Sequence, residues 1–261
     1  MERSYRQISY KCGKYVDAAV FPVYKKPGQR AKKAKPTSEV QQRLNDYNSK
    51  QHFLRLLLLN FNEKDLELHL TYNDGCYPAS YEEALKDAQN YKRRIAKYYK
   101  KLGIELKIIW IIAKGDNSDR IHHHVTITGG VDRDILESEW KKGYANTKRL
   151  KFGKDGLKGL AHYMTKQKHC GFRKWNCTKN MIKPQPREKN NVISNLRLKE
   201  MQKDLNEMGQ ALFLNKYKDD LQRLYPGYEI TDIQIIENEF NHGYYMKVFG
   251  MMHNAQFTMH N

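Results

Sequence analysis

The sequence is poor in cysteine, lacks a paired cysteine motif and contains no long apolar run. Its four cysteines, Cys12, Cys76, Cys170 and Cys177, are scattered with no CxxC pair. That pattern excludes a disulfide framework and predicts reduced thiols in a cytoplasm. A zinc knuckle drawn from His169, Cys170 and Cys177 lacks a fourth ligand at a standard spacing. The longest apolar run, "FLRLLLL", is broken by Arg55 and is far too short to span a bilayer. The opening residues, "MERSYRQISYKCG", carry no apolar segment of the kind that directs export. Acidic residues are also scarce. Against 47 Lys and Arg stand 29 Asp and Glu, so the net charge is +18 with histidine neutral. With 18 tyrosines among those charges, the composition points to a polyanionic partner.

At 261 residues the chain can bury one substantial core and a smaller accessory unit. Residues 25–36, "KKPGQRAKKAKP", have no hydrophobic period and read either as a basic arm able to touch phosphates or as a solvated linker. The stretch 37–61 looks helical, with its apolar face strengthening toward Leu59. Alternation then predicts strands at 66–72 ("LELHLTY"), 106–112 ("LKIIWII") and 121–128 ("IHHHVTIT"), and a fourth at 148–152 ("KRLKF"). Between the first two lies a long helix. It opens on a capping box, Ser80 with Glu83, closes on Gly103, and should turn Leu85, Ala88, Tyr91, Ile95 and Leu102 inward. Shorter helices are expected at 132–142 and 155–169. Strand, helix, strand, strand, helix, strand is the order of an α+β ferredoxin-like split βαβ sheet, here with N-terminal helical and C-terminal extensions. The predicted organisation is a basic arm and helix over 1–60, a central domain over 61–187, and a helical and β extension over 188–261.

"RIHHHV" carries the chemistry. Strand side chains alternate between faces, so His122 and His124 share one face about 6–7 Å apart and His123 points away. Two imidazoles so placed can converge on one cation; a polar strand with incidental histidines is the alternative. The helix at 155–169 supplies a partner, because Tyr163 and Lys166 fall one turn apart on the flank of its apolar stripe, Leu157, Leu160, Ala161 and Met164. A free phenol titrates near about 10 and is a poor nucleophile. Beside a cation-polarised phosphate and a lysine, it can attack phosphorus.

"RIHHHV" followed by "LAHYMTK" resembles the HUH and YxxK motifs of single-tyrosine HUH endonucleases, the initiators of rolling-circle replication. More narrowly, the chain resembles phage-type bacterial replication-associated proteins. "DLELHLTY", "KYYKKLG" and "RKWNCTKNMIKPQP" are similar to segments of that family, and the likeness covers residues 1–187. The resemblance implies His122 and His124 as ligands of Mg²⁺ or Mn²⁺, Tyr163 as nucleophile on single-stranded DNA, and Lys166 as the nearby cation. It also implies a 5′-phosphotyrosyl enzyme, a free 3′-OH that primes synthesis, and religation by the reverse transfer. The family usually completes its metal site with a Glu after the second strand, and Ala113 stands in that place here. His69, on a strand that should neighbour the histidine strand, is one candidate for the third ligand; Asp116 and Asp119 are the others.

Several residues fit a nucleic-acid surface. Trp175 lies among Arg173, Lys174 and Lys179, an interleaving in which a ring stacks on a base while cations hold the backbone, and Arg120 borders the histidine strand. The partners implied are single-stranded DNA or an origin hairpin. No GxxxxGK[ST] loop is present, so unwinding and extension are expected from a host helicase and polymerase. A transposase or relaxase of the same chemistry, or a non-catalytic nucleic-acid-binding regulator on the same fold, remains an alternative.

Overall fold

The structure is a computed structural model that describes residues 4–23, 39–115, 120–166, 168–169, 174–238 and 242–253. In chain order its elements are β1 (Tyr5–Cys12), β2 (Tyr15–Pro22), α1 (Glu39–Asn60), β3 (Leu66–Thr71), α2 (Tyr81–Lys101), β4 (Ile108–Lys114), β5 (Ile121–Ile127) and α3 (Arg133–Ser138). There follow β6 (Ala145–Arg149), α4 (Lys158–Lys166), β7 (Lys168–His169), β8 (Asn176–Cys177), β9 (Arg187–Asn190), α5 (Asn195–Lys216), α6 (Lys218–Leu224), β10 (Tyr228–Glu237) and β11 (Tyr244–Met252). They divide into two compact units, residues 56–182 and residues 1–55 with 183–261. The basic stretch 25–36, and with it Asp116, Asp119 and Arg173, lies outside the described residues.

The unit over 56–182 carries an antiparallel sheet in the order β6-β3-β5-β4-β7, with β8 also pairing to β4. Here β3 and β4 run the same way on either side of the antiparallel β5, and α2 makes the crossover between them. That is the split βαβ arrangement expected from the order of periodicities. One sheet face is apolar. Leu66, Leu68 and Leu70 of β3, Ile108, Trp110 and Ile112 of β4, and Val125 and Ile127 of β5 form a core with Ala84, Ala88, Tyr91, Ile95 and Tyr99 of α2.

Local chemistry explains why α2 sits where it does. The Ser80 side chain accepts from the Glu83 backbone N–H, capping one of the orphan donors of the first turn. Gly103 ends the helix at φ 67°, a conformation that a side chain would strain. Leu102 departs from the expected inward stripe: as the C-cap residue it has left the helical face and is 55% exposed.

Three boundaries also move. The helix expected over 132–142 spans Arg133–Ser138, and that over 155–169 shortens to Lys158–Lys166 because its ends are used by a Gly153–Gly156 turn and by β7. The fourth strand begins three residues earlier than its apolar pattern suggests, since pairing to β3 recruits Ala145, Asn146 and Thr147.

The second unit holds a five-stranded antiparallel sheet, β10-β11-β2-β1-β9. Its core joins Tyr5, Val16, Ala18 and Val20 to Leu198, Met201 and Phe213 of α5, Leu221 of α6, and Ile233, Ile235, Met246 and Val248 of the last hairpin. Gly209, at φ 75° and ψ 168°, breaks α5 into two helical segments. Cys12, Cys76 and Cys177 form no disulfide. Among the described residues no helix is long and apolar enough to cross a membrane.

Candidate functional site

The other face of the first sheet is polar at its centre. Cross-strand register sets His69 opposite His124 and Thr71 opposite His122, while Ile111 and Ala113 of β4 stand opposite His124 and His122 from the other side. Directly opposed residues of an antiparallel pair project from the same face. One face therefore gathers Glu67, His69 and Thr71, then His122, His124 and Thr126. Asn146 and Lys148 of the edge strand β6 continue it, opposite His69 and Glu67. α4 lies on this face, where the Thr126 hydroxyl meets the Met164 sulfur at 3.7 Å.

His69, His122 and His124 form a cluster whose nitrogen ligand atoms all lie within 4.8 Å of one another. The Nε2 atoms of His122 and His124 are 3.0 Å apart. His122 Nδ1 lies 3.2 Å from the Arg120 carbonyl oxygen, a partner that can only accept. The proton of a neutral His122 is thus held on Nδ1, and the Nε2 lone pair faces the cluster. A backbone acceptor behind a ring nitrogen is the usual support of a metal-bound imidazole. His124 is buried, and its Nδ1 has no hydrogen-bond partner. Burial first, then the neighbouring His122, lowers the His69 pKa below its ordinary value and that of His124 to about 3. At neutral pH these two rings are uncharged, the state in which imidazole ligates a cation. The donor set and its protonation therefore fit a divalent ion.

The Tyr163 ring stands edge-on to His124 with centroids 5.0 Å apart, and the residue is 49% exposed. Lys166 follows one turn later at the exposed end of α4. The structure thus brings His69, His122, His124 and Tyr163 together, with Lys166 on the same short helix. Ala113 lies on this face opposite His122 and has no ligand atom to offer.

Behind the cluster, His123 faces the apolar core. Its Nε2 is 2.8 Å from the Tyr72 hydroxyl, and its ring packs edge-on against Trp140 at 5.2 Å. Tyr72 also hydrogen-bonds Asp87, and burial together with that carboxylate raises its pKa. Since Asp87 accepts the phenolic proton, His123 Nε2–H must donate to the Tyr72 oxygen. The buried Nδ1 that lacks a partner is then a lone pair rather than a stranded N–H.

The expected DNA-contacting residues fare differently. Arg120 reaches back to Asp74 (2.9 Å) and to the Tyr72 carbonyl (3.2 Å), with its guanidinium over the Tyr77 ring. Lys174 and Trp175 are half-buried just before β8, which pairs with Ile109 and Trp110 of β4, and Lys179 is exposed beyond it. Tyr144 was not anticipated. It is 66% exposed at the start of β6, and its carbonyl accepts from the Thr71 N–H and hydroxyl, which sets it beside the histidine cluster's strand. Expecting the strand at 148–152 hid it, because the register that exposes Tyr144 is set by pairing rather than by apolar alternation.

Among curated proteins and among solved structures, nothing matches the chain. Residues 66–168 match the model of a family described as replication-associated protein, of the ORF2 kind. That span begins at the first residue of β3 and ends at the first residue of β7, so it contains all three clustered histidines and Tyr163. The resemblance read from the motifs is borne out: the segment that builds this site belongs to that replication-associated protein family.

Proposed function

We propose that the protein is a metal-dependent single-strand DNA nicking and strand-transfer enzyme that initiates rolling-circle replication. The observation that carries this reading is the meeting of three imidazoles with one exposed phenol across a sheet and a short helix. A divalent cation held by His69, His122 and His124 would supply positive charge to the oxygens of the scissile phosphate.

Tyr163 is the nucleophile. Its oxygen forms a bond to phosphorus as the bond from phosphorus to the 3′ oxygen breaks; the phenolic proton is released, and the departing oxygen takes up a proton as a 3′-OH. The product is a 5′-phosphotyrosyl protein. Attack by a 3′-OH on that phosphodiester restores the phenol and rejoins the strand. Lys166, one turn along α4, places a cation beside the phosphate, where negative charge develops during transfer. Tyr144 gives a neighbouring nucleobase a ring to stack on, and the +18 chain charge holds the backbone. Arg173, Lys174, Trp175 and Lys179 extend that basic, aromatic surface. A host helicase and polymerase supply unwinding and extension.

A pool of single-stranded oligonucleotides of randomised sequence, labelled at the 3′ end, tests this with Mn²⁺ present. The wild-type protein should acquire a label that survives denaturant and is lost on protease digestion. Tyr163→Phe should bind the pool and acquire none. Equal labelling of wild type and Tyr163→Phe would remove Tyr163 as nucleophile, and binding without labelling by wild type would leave only a binding protein.

A further inference from the structure

The three ligands are all imidazoles, and this selects among divalent ions. Mg²⁺ is a hard cation that demands octahedral oxygen donors and gives up water reluctantly, whereas imidazole suits the later first-row metals. A site for Mg²⁺ needs carboxylates to offset that dehydration. Among the described residues the cluster contains none. Glu67, the acidic residue sharing its face on β3, stands one pair further along, opposite Lys148, and is not part of it. The nitrogen donors are also fixed in place. β3 and β5 hold His69 and His124 in register, and the Arg120 carbonyl orients His122.

From this donor set we propose that the His69, His122 and His124 triad is selective for nitrogen-loving divalent transition ions, Mn²⁺ through Zn²⁺, over Mg²⁺. The proposal rests on the metal-dependent reading above and names the ion class for the same site. In the Irving–Williams order the affinity rises from Mn²⁺ toward Cu²⁺, with Zn²⁺ below Cu²⁺. Three neutral ligands also leave the bound ion its full charge, which is then available to a phosphate.

The test needs no DNA. The full-length apoprotein is titrated with Co²⁺, whose visible absorption reports nitrogen ligation, and the loaded protein is then challenged with Mg²⁺, Mn²⁺ and Zn²⁺. Binding of one equivalent of Co²⁺ is expected, with displacement by a small excess of Zn²⁺ and survival of the signal in at least about a hundredfold excess of Mg²⁺. His69→Ala should lose the signal, and His242→Ala, which removes an exposed histidine of the other unit, should keep it. Displacement by Mg²⁺ at concentrations comparable to Zn²⁺, or a signal unchanged in His69→Ala, would overturn the proposal. If His69→Ala fails to fold, the competition on the wild-type protein still decides. A protein that holds Co²⁺ against Mg²⁺ yet forms no DNA adduct contradicts the nicking reading alone; one that forms the adduct but releases Co²⁺ to Mg²⁺ contradicts this proposal alone.

Discussion

Three consecutive histidines do two different jobs because a strand turns alternate side chains to opposite faces. His122 and His124 reach the polar face, and His123 is locked in the apolar core against Tyr72 and Trp140. Burial lowers the His123 pKa well below that of a free imidazole, near about 6.5. The sign of the consequence follows. Below that unfolded-state value the unfolded chain takes up a proton that the native His123 refuses, so stability falls as the pH drops from neutrality toward the depressed native value. Denaturant melts at pH 7 and pH 5 should show a lower unfolding free energy at pH 5, and His123→Leu should flatten that difference. A wild-type stability independent of pH in this window would contradict the placement of His123. The face of each histidine was legible in the sequence because it needs only a period of two. Arg120 was not: whether it turns to DNA or to Asp74 and Tyr77 depends on a loop that folding brings alongside.

Capping and pairing account for most of what could and could not be read at the scale of elements. α2 was legible from end to end because its signals are local, a serine cap and a terminal glycine around a strong apolar stripe. Ser80→Ala should cost about 1 kcal/mol of stability in denaturant melts and leave Co²⁺ binding unchanged. β1 and β2 gave no comparable signal. Along β1 the inward positions include the buried polar Gln7, so apolarity does not alternate cleanly, and its place is set by partners far away in the chain, β9 at 187–190 among them. β6 was found but misplaced for a similar reason, and the correction carries a prediction. Tyr144→Ala should weaken binding to single-stranded oligonucleotides by about 1–3 kcal/mol in anisotropy titrations, with Tyr144→Phe close to wild type. Equal affinities for all three proteins would remove the ring from the DNA path.

At the scale of the whole molecule, charge and domain plan matter most. The family match, residues 66–168, falls inside the compact unit over 56–182, so the site and its supporting sheet are products of one contiguous stretch of chain. The second unit draws on both sides of that stretch, a closure the C-terminal periodicities could not reveal because half of its sheet lies before residue 56. With a net charge of +18, binding to single-stranded DNA should be governed by phosphate contacts. A plot of log affinity against log salt should then be linear and steeply negative, and a flat plot would contradict an electrostatic grip on the backbone. The central claim is that Tyr163, beside the three histidines, makes the bond to DNA. Peptide mapping by mass spectrometry, after the wild-type protein has reacted with single-stranded oligonucleotides and Mn²⁺, tests it most directly. The account predicts a nucleotide attached through a 5′ phosphate to the peptide containing Tyr163, and an adduct found on any other residue would contradict it.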